Sequence, residues 1–142
     1  MPLDLFSASD WDALLAAAWQ AREHAHAPYS HFQVGAALRT HSGAIISGCN
    51  VENASYPMCT CAERTAVCAA VAKGMKPGEL KALVVVTEAD TFTPPCGACR
   101  QVLVEFADDL PILLANRSGH VLHHLRDLLP HSFTGRNFLP QE

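Results

Sequence analysis

The chain has 142 residues, a formal net charge of −4, and a composition that is 49% apolar and 17% charged. A chain of this kind can bury a core without disulfides, so we expect one domain over residues 1–142. The acidic charge disfavours a nucleic-acid partner, and no apolar run has the length of a membrane span. Six cysteines and no signal-peptide pattern in residues 1–6 predict a reducing cytoplasm, where thiols act as ligands, core residues or reactive groups.

The first half of the chain predicts a helix and then a hairpin. Apolar side chains at positions 11, 14, 15, 18 and 19 have the spacing of one buried helix face, and Ser7, Ser9 or Asp10 could cap its start. Residues 32–39 alternate as in a strand, and residues 44–49 return after a turn at 41–43. A polar loop follows at 50–57.

The second half predicts helices alternating with strands. A helix from Cys59 or Thr60 to Ala72 is apolar on nearly all sides, which predicts deep burial, and Cys49 and Cys68 are interpreted as small core residues. Strands are expected at 82–87, 111–115 and 121–123, and helices at 97–106 and 125–129. The order of elements predicts one layered α/β sheet with five strands in all and at least four helices.

Two short blocks supply three thiols and one carboxylate: Cys61-Ala62-Glu63 and Pro95-Cys96-Gly97-Ala98-Cys99. Each block lies near the start of a predicted helix, where the helix dipole favours thiolates. A catalytic zinc site has three protein ligands and leaves the fourth position for water. The spacing therefore predicts Zn²⁺ bound by Cys61, Cys96 and Cys99.

The residues beside these thiols favour a catalytic metal over a structural one. Glu63 is not needed as a ligand, so it could carry protons between water and a substrate. Three thiolates on Zn²⁺ leave one net negative charge, which Arg64 could offset by hydrogen-bonding to the sulfurs. One alternative stays open, because Cys59 as a fourth ligand would make the zinc structural, as in an interaction module.

Five sequence blocks, in this order, resemble the small homotetrameric cytidine deaminases. The blocks are Phe32-Gln33-Val34-Gly35-Ala36-Ala37, Asn50-Val51-Glu52-Asn53-Ala54-Ser55-Tyr56, Cys61-Ala62-Glu63-Arg64, Pro95-Cys96-Gly97-Ala98-Cys99-Arg100-Gln101, and Leu128-Leu129-Pro130 with Phe133. The resemblance implies a three-layer α-β-α sandwich with a five-stranded mixed sheet and one Zn²⁺ per subunit. It also implies hydrolytic deamination of cytidine and 2′-deoxycytidine, with release of ammonia, in pyrimidine salvage.

The resemblance implies a role for each matching residue within one subunit. Phe32 would stack near the pyrimidine, while Asn50 and Glu52 would hold the ribose 3′-hydroxyl. Glu63 and the backbone of Ala62 would contact the edge of the base. Glu63 would protonate the ring nitrogen N3 and then the departing amine.

The resemblance also implies that sites are shared between subunits of a homotetramer. Ala54 and Tyr56 would reach a neighbour's site, and Phe133 would cover the base bound there. A polynucleotide deaminase is disfavoured by the acidic charge. The block at 50–56 and Phe133 favour a plain nucleoside over a cytosine-containing antibiotic as the substrate.

Overall fold

A computed structural model describes residues 8–140 of the chain. The regular elements of this range are α1 (Ala8–Arg22), β1 (Gly35–Thr40), β2 (Ile45–Cys49), α2 (Ala62–Ala72), β3 (Leu80–Val86), α3 (Gly97–Val104), β4 (Pro111–Ala115), β5 (His120–His124) and α4 (Leu125–Leu128). Short 3₁₀ turns occupy Tyr56–Met58 and Gly135–Asn137. None of the helices between residues 8 and 140 is long and apolar enough to cross a membrane.

The five strands form one mixed sheet in the order β2-β1-β3-β4-β5. β3 and β4 are parallel, and the other neighbouring pairs are antiparallel. Gly35 at the start of β1 pairs with Cys49 at the end of β2 and with Val86 at the end of β3. The segments before β1, after β2 and after β3 therefore leave the sheet at one common end.

Helices cover both faces of this sheet. Along β3, Leu83 and Val85 belong to the buried cluster under α2 and α3, whereas Val84 and Val86 belong to the cluster under α1. This alternation follows from the two-residue repeat of a strand, and both faces are apolar because both are covered. The predicted three-layer α-β-α sandwich with a five-stranded mixed sheet is confirmed.

The predicted start and burial of α2 were wrong in part. The helix begins at Ala62, because Thr60 instead exchanges two backbone hydrogen bonds with Val51, each 2.9 Å long. One face of α2 is exposed: Val71 is 44% exposed, and Cys68 is exposed as well, so it is not a core residue. Cys49 is only half-buried.

Other element boundaries differ from the sequence prediction by one to three residues, among them both ends of β3 and the end of α3. β1 begins at Gly35 rather than at residue 32. Ser9 and Asp10 lie inside the first turn of α1 instead of capping it, and Ser7 lies outside the described residues.

Candidate active site

The three predicted zinc ligands meet at the common end of the sheet. Cys61 precedes the first residue of α2, Cys96 precedes the first residue of α3, and Cys99 lies in the first turn of α3. Their sulfur atoms all lie within 4.8 Å of one another. The Sγ atoms of Cys61 and Cys96 are 3.8 Å apart.

This spacing fits a tetrahedral zinc ion. With Zn–S bonds of about 2.3 Å, tetrahedral angles place two sulfur ligands about 3.8 Å apart. The observed 3.8 Å between Cys61 and Cys96 agrees with that value. Three thiols are also the soft donors that zinc prefers, and they leave one coordination position for water.

Cys59 is not part of the sulfur cluster found among residues 8–140. Its Sγ accepts a hydrogen bond from the backbone N–H of Asn53 at 3.4 Å and lies 3.8 Å from the carbonyl oxygen of the same residue. These contacts hold the thiol on the loop before α2. The geometry therefore favours three protein ligands over the four of a structural zinc site.

Arg64 stabilises the negative charge of the sulfur cluster. Its Nη2 donates a hydrogen bond to Cys61 Sγ at 3.4 Å. Hydrogen bonds from Cys99, Arg64 and Cys96 lower the pKa of Cys61 to about 5 despite its partial burial. The hydrogen bond to Cys61 also raises the pKa of Arg64.

Among the protein groups alone, the pKa of Cys99 shifts in the opposite direction to that of Cys61. Its hydrogen bond to Cys61 raises the pKa of Cys99, and burial and the nearby carboxylate of Glu63 raise it further. The shifts of the two thiols arise mainly from the hydrogen bond between them. A divalent cation supplies the charge that would let both sulfurs ionise.

Glu63 is a buried carboxylate beside this cluster. Only 5% of the residue is exposed, and it points from the first turn of α2 into a cavity that also contains Cys61. Burial, followed by the charge of Cys61, raises the pKa of Glu63 to about 7. A carboxyl group with a pKa near neutrality can both accept and release a proton, which suits general acid–base work.

The cavity has a volume of about 350 Å³ and collects most of the predicted site residues. Its lining includes the predicted ligands Cys61 and Cys96, the predicted acid–base group Glu63, and the predicted substrate contacts Phe32, Asn50, Glu52 and Ala62. A pocket of this size fits a small ligand such as a nucleoside.

Asn50 and Glu52 organise the side of the cavity away from the sulfurs. Asn50 accepts a hydrogen bond from the Val34 N–H at 2.8 Å and donates one to the Phe32 carbonyl at 2.7 Å. These bonds replace the strand pairing expected at residues 32–34 and explain why β1 begins later. Glu52 accepts hydrogen bonds from the backbone N–H groups of Tyr29 and Ser30.

Three predicted substrate contacts do not line the cavity of their own chain, within the described range. Tyr56 is 67% exposed and makes an edge-on contact with Tyr29, with ring centroids 5.7 Å apart. Phe133 is 62% exposed and stacks on Phe138 at 5.8 Å. Ala54 lies exposed on the loop before the Tyr56 turn.

The sequence interpretation missed several residues that line the cavity, notably Ser30, Thr60, Thr93 and Pro94. Thr93 and Pro94 belong to the segment that joins β3 to the second cysteine block. Their position directly before that block was the one available signal. Ser30 had no signal, because a serine in a turn after a proline is ordinary in any loop.

A family model described as the cytidine and deoxycytidylate deaminase zinc-binding region matches residues 9–114. The chain is 45% identical over 127 residues to a cytidine deaminase of Sporosarcina psychrophila, a match that covers 88% of this chain and 92% of the relative. A cytidine deaminase of Halalkalibacterium halodurans is 44% identical over 130 residues, covering 90% and 97% respectively.

Solved structures agree with these matches. A crystal structure of cytidine deaminase from Burkholderia pseudomallei has 51% identity and a TM-score of 0.83, covering 86% of this chain and 98% of that one. The cytidine deaminase structure from Mycobacterium tuberculosis has 42% identity and a TM-score of 0.75, covering 87% and 97%. The chain therefore belongs to the zinc-binding cytidine and deoxycytidylate deaminase family.

Proposed function

We propose that the protein is a zinc-dependent hydrolase that converts cytidine and 2′-deoxycytidine to uridine and 2′-deoxyuridine with release of ammonia. We further propose that residues 1–142 act as one domain and that each subunit holds one Zn²⁺ through Cys61, Cys96 and Cys99. The observation that carries the proposal is the sulfur cluster beside buried Glu63 in a cavity of nucleoside size.

Glu63 carries the protons of the reaction. A bound Zn²⁺ supplies the activated water that a hydrolytic deamination consumes. Glu63 would accept one proton of the water and deliver it to N3 of the cytosine. It would then accept the proton of the hydroxyl group added at C4 and deliver it to the amino group that leaves as ammonia. Its pKa of about 7 supports both directions of transfer. Arg64 donates a hydrogen bond to Cys61 and partly neutralises the negative charge of the sulfurs, without contacting the substrate.

The remaining cavity residues bind the nucleoside in this proposal. Phe32 stacks near the pyrimidine, and the backbone of Ala62 contacts the base edge beside Glu63. Asn50 and Glu52 hold the 3′-hydroxyl of the sugar. Their support is that all of them line the same cavity as the sulfur cluster.

We propose that the enzyme is a homotetramer whose sites are completed by neighbouring subunits. Ala54 and Tyr56 would reach a neighbour's site, and Phe133 would cover the base bound there. The exposure of the Tyr56 and Phe133 rings and the exposed apolar side chain of Val71 on α2 support contacts between chains.

The proposed setting is pyrimidine salvage in the cytoplasm, with a free nucleoside rather than a nucleic acid or a membrane as the partner. All six cysteines are free thiols in the structure, as a reducing compartment would keep them. The net charge of −4 supports a small substrate over a polynucleotide.

The proposal is tested with purified protein of measured zinc content, by following ammonia release from cytidine and from 2′-deoxycytidine. Glu63→Gln should keep zinc and fold while lowering kcat by roughly a hundred- to ten-thousandfold, the usual contribution of a general acid–base group. Glu105→Gln, on an exposed glutamate at the end of α3, is the control. A zinc-loaded wild type that deaminates neither nucleoside would show that the proposed function is wrong.

A further inference from the structure

The hydroxyl of Ser30 joins two groups that are proposed to bind the nucleoside. Its Oγ accepts a hydrogen bond from the backbone N–H of Phe32 at 3.0 Å and donates one to Oε2 of Glu52. Because an amide N–H only donates, the hydroxyl proton is left for the carboxylate. The direction of both hydrogen bonds is therefore fixed.

The carboxylate of Glu52 has little acceptor capacity left. Oε1 accepts the backbone N–H groups of Tyr29 at 2.9 Å and Ser30 at 3.1 Å. A carboxylate offers about four acceptor positions, and the Ser30 hydroxyl takes one of the two on Oε2. One position remains, and Glu52 lines the cavity, so that position is available to a single hydroxyl of a bound sugar.

The same contacts keep Glu52 ionised. The hydrogen bond from the Ser30 hydroxyl is the largest cause of a lowered pKa at Glu52. Desolvation, the next largest, opposes it, and the two backbone N–H groups and the nearby His26 lower the pKa further. An ionised carboxylate accepts a stronger hydrogen bond from a hydroxyl than a neutral carboxyl group does.

The backbone beside Ser30 adopts an uncommon conformation. His31 has a φ of 57°, in the left-handed region that residues with a side chain seldom adopt, and its N–H is held by the Ala27 carbonyl at 3.0 Å. This turn aims two successive N–H groups at Glu52. Strained backbone that persists beside a binding cavity is often part of its preorganisation.

We propose that Ser30 is a positioning residue that fixes Glu52 and the Phe32 backbone in one arrangement and leaves Glu52 able to recognise one sugar hydroxyl. This inference rests on the proposed function, since it concerns the sugar of the same nucleoside. Recognition of one hydroxyl is compatible with both ribose and 2′-deoxyribose, because the 3′-hydroxyl is common to them.

The test compares Ser30→Ala and Ser30→Thr with the control Ser118→Ala, a change in the exposed turn between β4 and β5. Ser30→Ala should raise KM for cytidine roughly five- to tenfold, as expected for a lost hydrogen bond to a charged group at a partly exposed site. Its kcat and zinc content should stay at wild-type values. Ser30→Thr keeps the hydroxyl and should recover most of the KM.

A second ligand separates positioning from general damage. The Ki of 2′,3′-dideoxycytidine, which lacks both hydroxyls, should rise by a clearly smaller factor in Ser30→Ala than the KM for cytidine does. In a Glu52→Ala background, Ser30→Ala should add little to the KM for cytidine, because the two side chains act together. Should Ser30→Ala fail to fold, Ser30→Cys is a near-isosteric substitute with a weak donor.

Each outcome bears on one claim. Equal losses for cytidine and the dideoxy ligand, or additive losses with Glu52→Ala, would overturn the role of Ser30 and leave the deaminase proposal intact. If the wild type releases no ammonia, that proposal fails, and Ser30 is then judged by the calorimetric Kd for uridine. A wild type that does not bind uridine would overturn both.

Discussion

The two sides of the cavity are built in different ways. The metal wall consists of Cys61, Glu63, Cys96 and Cys99, which stand at the first turns of α2 and α3 above the buried sheet. The sugar wall consists of residues 30–34 and 50–52, which lie on loops and are joined by bonds between side chains and backbone.

The two walls differ in bonding more than in burial. In the metal wall Cys99 is fully buried but Cys96 is exposed, and on the sugar wall Phe32 is 41% exposed. The metal wall takes its geometry from helices packed on the sheet, and the sugar wall takes its geometry from a few polar contacts. Changes in the metal wall should therefore alter zinc binding, folding and kcat, while changes in the sugar wall should alter KM.

Loss of a thiol from the metal wall should have the largest effect. Cys99→Ala leaves two sulfurs of the cluster, so zinc content should drop and ammonia release should fall to background, beyond the roughly hundred- to ten-thousandfold loss expected for proton transfer alone. Zinc analysis and the ammonia assay measure this. Cys68→Ala, at an exposed thiol of α2, is the matched control. Full zinc occupancy in Cys99→Ala would exclude Cys99 as a ligand.

The backbone of the metal wall should also resist change. A Cβ at Gly48 would lie 2.7 Å from the Ala62 carbonyl and would also meet the Thr65 hydroxyl, both on the first turns of α2. Gly48→Ala must therefore shift the start of α2, and we expect a loss of about 1–3 kcal/mol in the free energy of unfolding. Denaturant titration measures it.

Gly97 provides the matched control for this change. It is the first residue of α3, beside Cys96, and a Cβ there would meet nothing within 4 Å. Gly97→Ala should leave stability within about 0.5 kcal/mol of wild type or raise it. Equal losses in the two alanine variants would contradict the claim that close packing of β2 against α2 fixes the metal wall.

These differences between the two walls explain how far the sequence predicted each of them. The metal wall is compact in sequence, because a helix start fixes the spacing of Cys96 and Cys99, and the two cysteine blocks together predict a cluster of three sulfurs. The buried strand at 82–87 was equally clear. In the sugar wall, by contrast, Phe32, Asn50 and Glu52 were identified only through the family resemblance.

Long-range polar contacts account for what the sequence did not predict. The bonds of Asn50 to residues 32 and 34 replace a strand, and no periodicity signals such an exchange. Ser30 is 22 residues from Glu52, and neither residue alone indicates the pair. The exposed face of α2 was missed because the pattern of apolar residues predicts a buried helix surface and does not show whether the same chain covers it.

The variant Arg64→Ala tests the electrostatics of the metal wall, and its expected effect on kcat is smaller than that of losing a thiol. Removing the hydrogen bond from its Nη2 to Cys61 leaves the sulfurs with excess negative charge. Arg64→Ala should keep zinc and lower kcat by roughly tenfold, the low end of losses seen when a group bonded to a metal ligand is removed. Arg126→Ala, at an exposed arginine paired with Asp109, is the control. Normal turnover with normal zinc content would make Arg64 a surface charge.

The smallest expected effect concerns the open side of the sugar wall. Phe32 is partly exposed, and within residues 8–140 the cavity lining includes no second aromatic side chain. If Phe133 of a neighbouring subunit covers the base, Phe133→Ala should raise KM for cytidine by roughly three- to tenfold, the value of a lost aromatic contact of about 0.5–1.5 kcal/mol, with little change in kcat. Steady-state kinetics on the assembled protein measures this.

Leu139→Ala is the control for Phe133, because it removes another exposed apolar side chain from the same C-terminal segment. The KM of Leu139→Ala should match that of the wild type, and sedimentation should show the same assembly in all three proteins. The Gln101 side chain holds the Phe133 carbonyl at 2.8 Å, so the backbone should stay in place when the ring is removed. An unchanged KM in Phe133→Ala, with assembly intact, would mean that the sugar wall, which includes Phe32, binds the nucleoside without an aromatic ring from a neighbouring subunit.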